Sequence, residues 1–442
     1  MRIKGPASVK GSLAVPGDKS ISHRIAMLAS IASGPSTISG FASSADCRAT
    51  LDCLRRLGVR IEGDGQDLII HGEGLFGWRA SDAPVQLDAG NSGSTIRMLS
   101  GLLAGQRFTS MIDGDTSLRR RPMRRIIEPL SLMGARIEAS SAQFAPLTIR
   151  GNELHGIDYQ SPVASAQVKT CVLFAGLLAR GQTRFTEPVA SRNHTELMLK
   201  ELGARINVDS SSTTSIEGLH ELNPISYDVP GDLSSAAFLI AAATLLPDSQ
   251  LLIRNVNLNP TRTAFIQVMN ELGASIEQRN VRRQHGELVG DLEVASRKLC
   301  AEATGSRLSG SIIPNLIDEI PILAIVATQL KGRLEVRDAK ELRIKESDRI
   351  QTVTDGIRAM GGKIDEFEDG FSISGPQRLS GARVETAGDH RIAMAFAIAG
   401  LIAEGTTEIA DADCASVSFP GFFESLAALA GSETVKQAFE DS

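Results

Sequence analysis

Five segments of the sequence combine basic or small polar side chains with turns and predicted helix starts. The first turn of a helix has unpaired N–H groups and the positive end of the helix dipole, and both attract anions. Such segments predict sites for carboxylate or phosphate groups, although each one alone is also compatible with a solvated basic surface. They are GDKSISHR at 17–24, DAGNSGSTIR at 88–97, SLRRRPMRR at 117–125, ASAQVK at 164–169 and SRNHTE at 191–196.

Carboxylates stand among cations in the second half of the chain. Asp318 and Glu319 precede an apolar helix and are also compatible with ordinary helix-start acids, while the run RIKESDR is compatible with a salt-bridged surface helix. Together with the basic segments, they predict an enzyme that binds two anionic small molecules and has acid–base groups among the cations. No cluster has a spacing typical of metal ligands or of a Ser-His-Asp triad. The residues concerned are Asp318, Glu319, Arg343, Lys345, Glu346, Asp348, Arg349, Asp389, His390 and Arg391.

A repeated signature indicates how the chain positions these segments. A run of apolar residues at helical spacing ends at a glycine, and a strand of alternating apolar and polar residues follows. This pattern occurs five times, with the glycines 69–88 residues apart. One copy would be an ordinary connection, but five copies favour true repetition. The tetrapeptide VPGD also occurs twice, 214 residues apart, which predicts two equivalent halves of three units each. The segments SSAAFLIAAATLL and HRIAMAFAIAGLIA are apolar on all sides and predict buried helices.

Composition narrows the class of protein further. The formal net charge is −6 and aromatic residues make up 4% of the 442 residues, which argues against a nucleic-acid partner. Five cysteines without a C-x-x-C pair indicate a reducing compartment rather than a disulfide framework. The first residues lack an apolar signal core, and no apolar stretch approaches the ~20 residues of a membrane span. We therefore expect a cytoplasmic protein without a membrane partner.

Eight motifs, in order along nearly the whole chain, resemble those of the 5-enolpyruvylshikimate-3-phosphate synthases, in their class II branch. They are PGDKSISHR, GNSGSTIR, RRPM, SAQVK, SRNHTE, VPGDLSSA, RIKESDR and DHRIAMAFA. The resemblance implies an α/β fold of two domains, each of three βαβαββ units with buried helices and sheets around them, an inside-out α/β barrel. Residues 17–230 would form the shikimate 3-phosphate domain. Residues 1–16 and 231–442 would form the domain with the general base and the phosphoenolpyruvate carboxylate clamp.

The implied reaction transfers the enolpyruvyl group of phosphoenolpyruvate to the 5-hydroxyl of shikimate 3-phosphate and releases phosphate. It proceeds by addition and elimination through a tetrahedral intermediate, without a metal or an organic cofactor, in chorismate and aromatic amino-acid biosynthesis. The family resemblance also implies a monomer whose partners are its two small-molecule substrates, and a target of glyphosate.

The resemblance assigns substrate ligands residue by residue. Lys19 would contact both substrates, and Ser20 and Arg24 would bind the shikimate carboxylate. The arginines Arg349 and Arg391 would clamp the phosphoenolpyruvate carboxylate, a bidentate task that suits guanidinium. The phosphate of shikimate 3-phosphate would be bound by Ser165, Ala166, Gln167 and Arg192. The phosphate of phosphoenolpyruvate would be bound by Asn91, Gly93 and Arg121. Gln167 would also contact the intermediate.

Catalytic roles are implied for Lys19 and three residues of the second half. Asp318 would be the base toward the 5-hydroxyl, Lys345 would hold the same hydroxyl, and Glu346 would deliver a proton to the methylene carbon. Asp318 and Lys345 therefore also count as ligands of shikimate 3-phosphate. Two positions depart from some family members: Val417 stands where a lysine can occur, and Glu341 where class I members have asparagine.

Other functions remain open from the sequence. A UDP-N-acetylglucosamine enolpyruvyl transferase would carry Lys-Asn at the first helix start and usually a cysteine in its mobile loop. Here Lys19 is followed by Ser20, and residues 111–125 contain no cysteine. RNA 3′-phosphate cyclases share the unit topology, but their histidine motif is not evident. A non-catalytic phosphate-ester binding homologue would be expected to lose Asp318, Lys345 or Glu346.

Overall fold

The computed structural model describes residues 1–63, 65–79, 84–209, 212–301 and 305–437. The chain forms two compact units. Unit 1 consists of Met1–Pro16, Gly231–Arg282 and Leu288–Ser442, and unit 2 of Gly17–Pro230 and Arg283–Glu287. Each unit has its own buried apolar core.

The α-helices of the described residues supply the cores and the predicted anion sites. They are α1 (Lys19–Ser30), α2 (Ala45–Arg56), α3 (Gly93–Ala104), α4 (Arg124–Leu132), α5 (Ala166–Leu178), α6 (His194–Glu201), α7 (Leu233–Leu245), α8 (Ala264–Glu271), α9 (Ile313–Leu316), α10 (Ile320–Gln329), α11 (Arg349–Ala359), α12 (His390–Ile402) and α13 (Phe422–Ala430). Short 3-10 helices cover Leu118–Arg120, Gly310–Ile312, Lys340–Ile344 and Ala412–Val417.

Most strands are short and lie between these helices along the chain. They are β1 (Arg2–Gly5), β2 (Lys10–Ala14), β3 (Pro35–Ser39), β4 (Arg60–Glu62), β5 (Leu68–His71), β6 (Val85–Asp88), β7 (Thr109–Asp113), β8 (Arg136–Ser140), β9 (Phe144–Arg150), β10 (Leu154–His155), β11 (Asp158–Gln160), β12 (Ala179–Arg180), β13 (Gln182–Thr186), β14 (Ile206–Val208), β15 (Thr213–Glu217), β16 (Ser226–Asp228), β17 (Gln250–Asn257), β18 (Ser275–Gln284), β19 (Glu287–Ala295), β20 (Ser306–Leu308), β21 (Gly332–Val336), β22 (Asp365–Phe367), β23 (Gly370–Gly375), β24 (Arg383–Val384), β25 (Gly405–Ile409) and β26 (Val435–Lys436).

The repeated helix–glycine–strand connection is present in all five predicted copies. The helices concerned are α2, α4, α6, α8 and α11, and each is followed by its glycine and then by β4, β8, β14, β18 or β22. Every one of these glycines has a positive φ, between 78° and 100°, so each ends its helix in the left-handed conformation that other residues rarely adopt. They are Gly58, Gly134, Gly203, Gly273 and Gly361.

Six four-stranded sheets surround the helices, and the described residues form one further two-stranded pair, β10-β12. The sheets of unit 2 have the orders β16-β3-β5-β4, β6-β7-β9-β8 and β11-β13-β15-β14. Those of unit 1 have the orders β18-β19-β17-β2, β20-β21-β23-β22 and β24-β25-β1-β26. Each contains one parallel pair, so a single pattern is repeated in both units.

Apolar helices occupy the centre of each unit. In unit 1, α7, α10 and α12 pack on one another, and every residue of α7 from Leu233 to Thr244 is buried. In unit 2, α3 packs on α5 and on α1 in the same way. The predicted α/β fold class, with buried helices and sheets around them, is confirmed.

The apolar helices were compared with the length and composition of a membrane span. Within the described ranges, no single helix has the length and apolar composition needed to cross a membrane, and one bent pair, Gly310–Leu316 with Ile320–Gln329, meets those two criteria together.

Candidate active site

The first anion segment of unit 2 places Lys19 at the start of α1. Asp18 caps this helix, because its Oδ1 accepts a hydrogen bond of 3.0 Å from the N–H of Ile21. The Lys19 Nζ lies 2.9 Å from Asp46 Oδ2, and both side chains are mostly buried. The carboxylate thereby fixes the direction of the ammonium.

Arg24 joins three helix starts of unit 2. Its Nε donates to Thr195 Oγ1 at 2.8 Å, its Nη2 to Thr170 Oγ1 at 3.0 Å and its Nη1 to the carbonyl oxygen of Ser20 at 2.8 Å. The guanidinium also lies 3.5 Å from the carbonyl oxygen of Ala166. Because these partners belong to α1, α5 and α6, the buried Arg24 holds the starts of all three helices together.

The predicted ligands of shikimate 3-phosphate meet at these helix starts. Arg192 precedes α6, and its Nη1 donates to Ser20 Oγ at 3.4 Å. Ser165 is the cap of α5 and accepts from the N–H of Val168 at 3.5 Å, so Ala166 and Gln167 form the first turn. Hydroxyls, helix N–H groups and guanidinium groups therefore lie side by side, a combination suited to phosphate and carboxylate.

A second cluster in unit 2 gathers around Gly93, the first residue of α3. Arg121 Nη2 donates to Asn91 Oδ1 at 2.6 Å, and Arg97 Nη1 donates to Gln167 Oε1 at 2.8 Å. A Cβ placed on Gly93 would lie 3.0 Å from Arg97 Nη1 and 3.5 Å from Arg121 Nη1. Both guanidinium groups thus approach Gly93 closely, so a side chain at this position would crowd Arg97, and their positive charges lie beside the start of α3, where an anion is favoured.

Unit 1 gathers its predicted catalytic carboxylates around one arginine. Arg349 begins α11 and is 2% exposed. Its Nη2 lies 2.7 Å from Glu346 Oε2, its Nη1 3.6 Å from Asp318 Oδ1 and its Nε 2.8 Å from Asp389 Oδ2. Asp318 and Glu346 are 18% and 22% exposed, so both can meet a ligand.

Arg391 and Lys345 complete the predicted set in unit 1. Arg391 Nη1 donates to the carbonyl oxygen of Asp318 at 3.1 Å, and its Nε lies 3.7 Å from Asp318 Oδ1. Lys345 Nζ lies 3.2 Å from Glu341 Oε1. Glu341, which departs from class I members, is therefore a direct neighbour of a predicted catalytic lysine.

Buried groups of unit 1 have shifted pKa values. Burial alone would raise the pKa of Asp389, but the Arg349 guanidinium more than offsets it and holds this pKa below its usual value. Burial opposes the charge of Arg349, yet Asp389 and Glu346 raise its pKa above the ordinary value. Burial raises the pKa of Glu319 even though Arg262 lies nearby. Arg349 and Asp389 are thus both charged inside the protein.

The sequence did not indicate an individual role for three residues of these clusters. Asp46 pairs with Lys19 from 27 positions away, and no local pattern signals this contact. Arg97 is the last residue of the GNSGSTIR motif, and Asp389 lies two positions before Arg391, so the motifs themselves contained both signals. His194, in the SRNHTE motif, is a packed residue, because its Nδ1 lies 2.7 Å from Glu287 Oε1 and both side chains are buried.

Comparison with known proteins identifies the family. The family model of EPSP synthase (3-phosphoshikimate 1-carboxyvinyltransferase) matches residues 3–426. The chain belongs to the EPSP synthase family. The resemblance read from the motifs and the enzyme class that it implied are both confirmed.

Relatives and solved structures agree along the whole chain. A 3-phosphoshikimate 1-carboxyvinyltransferase of Thermodesulfovibrio yellowstonii is 50% identical over 426 residues, 96% of this chain and 98% of the relative. One of Solibacter usitatus is 49% identical over 429 residues, 97% of this chain and 99% of the relative. A solved EPSP synthase structure from Acinetobacter baumannii has a TM-score of 0.86 and 39% identity, and the match covers 97% of both chains.

Proposed function

We propose that this chain transfers the enolpyruvyl group of phosphoenolpyruvate to the 5-hydroxyl of shikimate 3-phosphate and releases phosphate. The observation that carries this proposal is the set of contacts around Arg349, where a cation suited to a carboxylate substrate lies within 3.6 Å of Asp318 and 2.7 Å of Glu346. Enolpyruvyl transfer needs this combination, because a proton leaves the hydroxyl and another reaches the methylene carbon.

Shikimate 3-phosphate is assigned to the helix starts of unit 2. Ser165, Gln167 and Arg192 bind its phosphate, together with the N–H groups that begin α5. Ser20 and Arg24 bind its ring carboxylate. The hydrogen bond from Arg192 to Ser20 supports this assignment, since it brings a phosphate ligand beside a carboxylate ligand.

The phosphate of phosphoenolpyruvate is assigned to Asn91, Gly93 and Arg121. The two guanidinium groups close to Gly93 support this assignment, because they place positive charge beside the first turn of α3. Lys19 contributes a further positive charge toward both substrates, and Asp46 holds its ammonium in place. When the phosphate leaves in the elimination step, these cations stabilise its charge.

The proton transfers are assigned to unit 1. Asp318 accepts the proton of the 5-hydroxyl while the oxygen attacks C2 of phosphoenolpyruvate, and Lys345 stabilises the same oxygen. Glu346 gives a proton to C3 and removes one when phosphate departs, which restores the methylene group. The hydroxyl proton taken by Asp318 leaves with the phosphate, which restores the Asp318 carboxylate. Arg349 and Arg391 hold the substrate carboxylate, and its arrival at Arg349 competes with Glu346 for the guanidinium and thereby releases the Glu346 side chain for proton transfer.

We also propose where the protein is located and that it acts as a monomer. A cytoplasmic monomer without membrane or nucleic-acid partners is supported by the composition and by the family resemblance of the motifs.

Phosphate release from phosphoenolpyruvate tests the activity directly. We expect rapid release with shikimate 3-phosphate as acceptor and none above background with UDP-N-acetylglucosamine. Release with the UDP-sugar alone would contradict the proposed acceptor. Binding of both substrates without phosphate release would indicate a non-catalytic homologue instead.

A further inference from the structure

A buried ionic cluster lies behind the predicted phosphate site of unit 2. Lys169 Nζ lies 2.8 Å from Glu187 Oε1 and 2.7 Å from Glu196 Oε1. It also donates to the carbonyl oxygen of Ser191 at 3.4 Å. The side chains of Lys169, Glu187 and Glu196 are only 3–6% exposed, so substrate does not reach them directly.

The contacts of Lys169 reach the chain on both sides of Arg192. Glu187 Oε1 accepts a second hydrogen bond of 2.9 Å from the N–H of Ser191, so both backbone groups of Ser191 are held within the cluster. Glu196 lies four positions after Arg192, in the first turn of α6. An ammonium has three N–H donors, and here they meet three acceptors from the segment that carries Arg192.

The same lysine belongs to the other half of the predicted phosphate site. Lys169 lies in the first turns of α5, and its N–H donates to the carbonyl oxygen of Ser165 at 3.0 Å. One residue therefore connects the helix start at Ser165 with the segment at Arg192. The relative position of these two phosphate ligands depends on that connection.

We propose that Lys169, with Glu187 and Glu196, is a positioning residue for shikimate 3-phosphate. It sets the distance between the Arg192 guanidinium and the start of α5, so that both reach one phosphate group. This inference rests on the proposed function. A buried ionic cluster is a weak source of stability, because desolvation offsets the attraction between the charges. Its contacts are directional, however, and ligand groups must be held within fractions of an ångström to act together.

Glu187→Ala is the first test. It removes both the bond to Ser191 and one partner of Lys169, while Glu196 still compensates the buried ammonium. We expect the KM for shikimate 3-phosphate to rise about tenfold and the KM for phosphoenolpyruvate to stay within about twofold. Glu187→Gln keeps an oxygen acceptor at the same place and should restore most of the affinity for shikimate 3-phosphate.

Leu177→Ala is the matched control. Leu177 is fully buried on the same helix, so its truncation destabilises unit 2 without touching the cluster. At a temperature below all unfolding midpoints, this variant should keep both KM values near those of the wild type. An equal rise for the control, or an equal rise of both KM values in Glu187→Ala, would overturn the positioning role.

Two further outcomes separate the proposals from each other. If the wild-type protein releases no phosphate, the proposed function is refuted. If the wild-type protein is active and Glu187→Ala has an unchanged KM for shikimate 3-phosphate, only the positioning role is refuted. If Glu187→Ala does not fold, Glu196→Ala is measured in the same way, since it keeps both bonds to Ser191. A selective rise in the KM for shikimate 3-phosphate would then support the proposal, and unchanged KM values would overturn it.

Discussion

Arg349 of unit 1 and Arg192 of unit 2 are both predicted to bind a substrate anion, but their surroundings differ. Arg349 is 2% exposed, and Asp318, Glu346 and Asp389 lie 2.7–3.6 Å from it. Arg192 is only partly buried, and its Nη1 donates to a neutral hydroxyl, that of Ser20. Arg349 contributes to the charge balance of the fold through its carboxylate partners, whereas the side chain of Arg192 is more accessible to a ligand.

Two buried titratable groups, Asp389 of unit 1 and His23 of unit 2, differ in charge. In unit 1, Asp389 stays charged inside the protein because Arg349 lowers its pKa. In unit 2, burial lowers the pKa of His23 well below its usual value, and Lys19 and Arg24 lower it further. His23 is therefore neutral and bonds through Nδ1 to Thr50 Oγ1 at 2.7 Å. Of these two buried groups, the aspartate is charged beside an arginine, and the histidine is neutral beside two cations.

The largest expected effect concerns the assignment of proton transfer to unit 1. Asp318→Asn should lower kcat about 100- to 10,000-fold, because the general base is lost, while the affinity for shikimate 3-phosphate changes little. Steady-state phosphate release and calorimetric titration measure the two quantities. Asp365→Asn, on the exposed surface of the same unit, is the control and should behave like the wild type. Near-normal turnover in a folded Asp318→Asn variant would contradict the assignment of the general base to unit 1.

The second test separates fold from ligand binding. Arg349→Met should lower the free energy of unfolding by about 3–5 kcal/mol, because it leaves the buried Asp389 uncompensated. Arg192→Met should lower it by no more than about 0.5 kcal/mol. Urea unfolding followed by circular dichroism measures both changes. Equal losses in the two variants would show that the surroundings of the two arginines are energetically alike.

The third test divides the arginines of unit 2 between the substrates. Arg121→Ala should weaken phosphoenolpyruvate roughly 10- to 100-fold and shikimate 3-phosphate much less, and Arg192→Ala should do the reverse. These magnitudes correspond to the loss of hydrogen bonds to a charged group. Titration of each substrate against both variants decides the matter. If each variant weakened both substrates equally, the division would be wrong.

The smallest expected effect concerns His23. Since its folded-state pKa lies below its usual 6.5, the unfolded chain binds more protons below that pH. The resulting stability is complete above about pH 6.5, and about 1 kcal/mol of it is lost between pH 6.5 and 5.5. His23→Gln should remove this part of the pH dependence, whereas His155→Gln, at an exposed position, should retain it. Thermal unfolding across this range is the measurement, and parallel curves for the wild type and His23→Gln would contradict the expectation.

The sequence predicted the fold class because local signals were strong and repeated. The glycines after α2, α4, α6, α8 and α11 all adopt the left-handed conformation that the pattern indicated. The continuous apolar composition of α7 and α12 likewise predicted burial on all sides, and the structure shows it. Helix ends and burial follow from neighbouring residues, so they can be predicted without long-range contacts.

Side-chain contacts between residues far apart in the sequence could not be predicted in this way. Arg24 and Thr195 are 171 positions apart, and Arg97 and Gln167 are 70 apart, yet each pair is hydrogen-bonded. Motifs indicated that these segments bind anions, but which side chain faces which partner depends on how the helices pack. The ligand roles of the individual residues therefore stay predictions until the variants are measured.

The pairing of β1 has a consequence for synthesis on the ribosome. Arg2 pairs with Glu408, and β2 pairs in parallel with β17, so the first two strands belong to sheets completed by much later segments. At roughly 5–20 residues per second, β1 waits on the order of 20–80 seconds for its β25 partner. Residues 17–230 supply nearly all of unit 2 during this interval. We expect unit 2 to fold first on the growing chain, while the amino-terminal strands stay unpaired and depend on chaperones for protection.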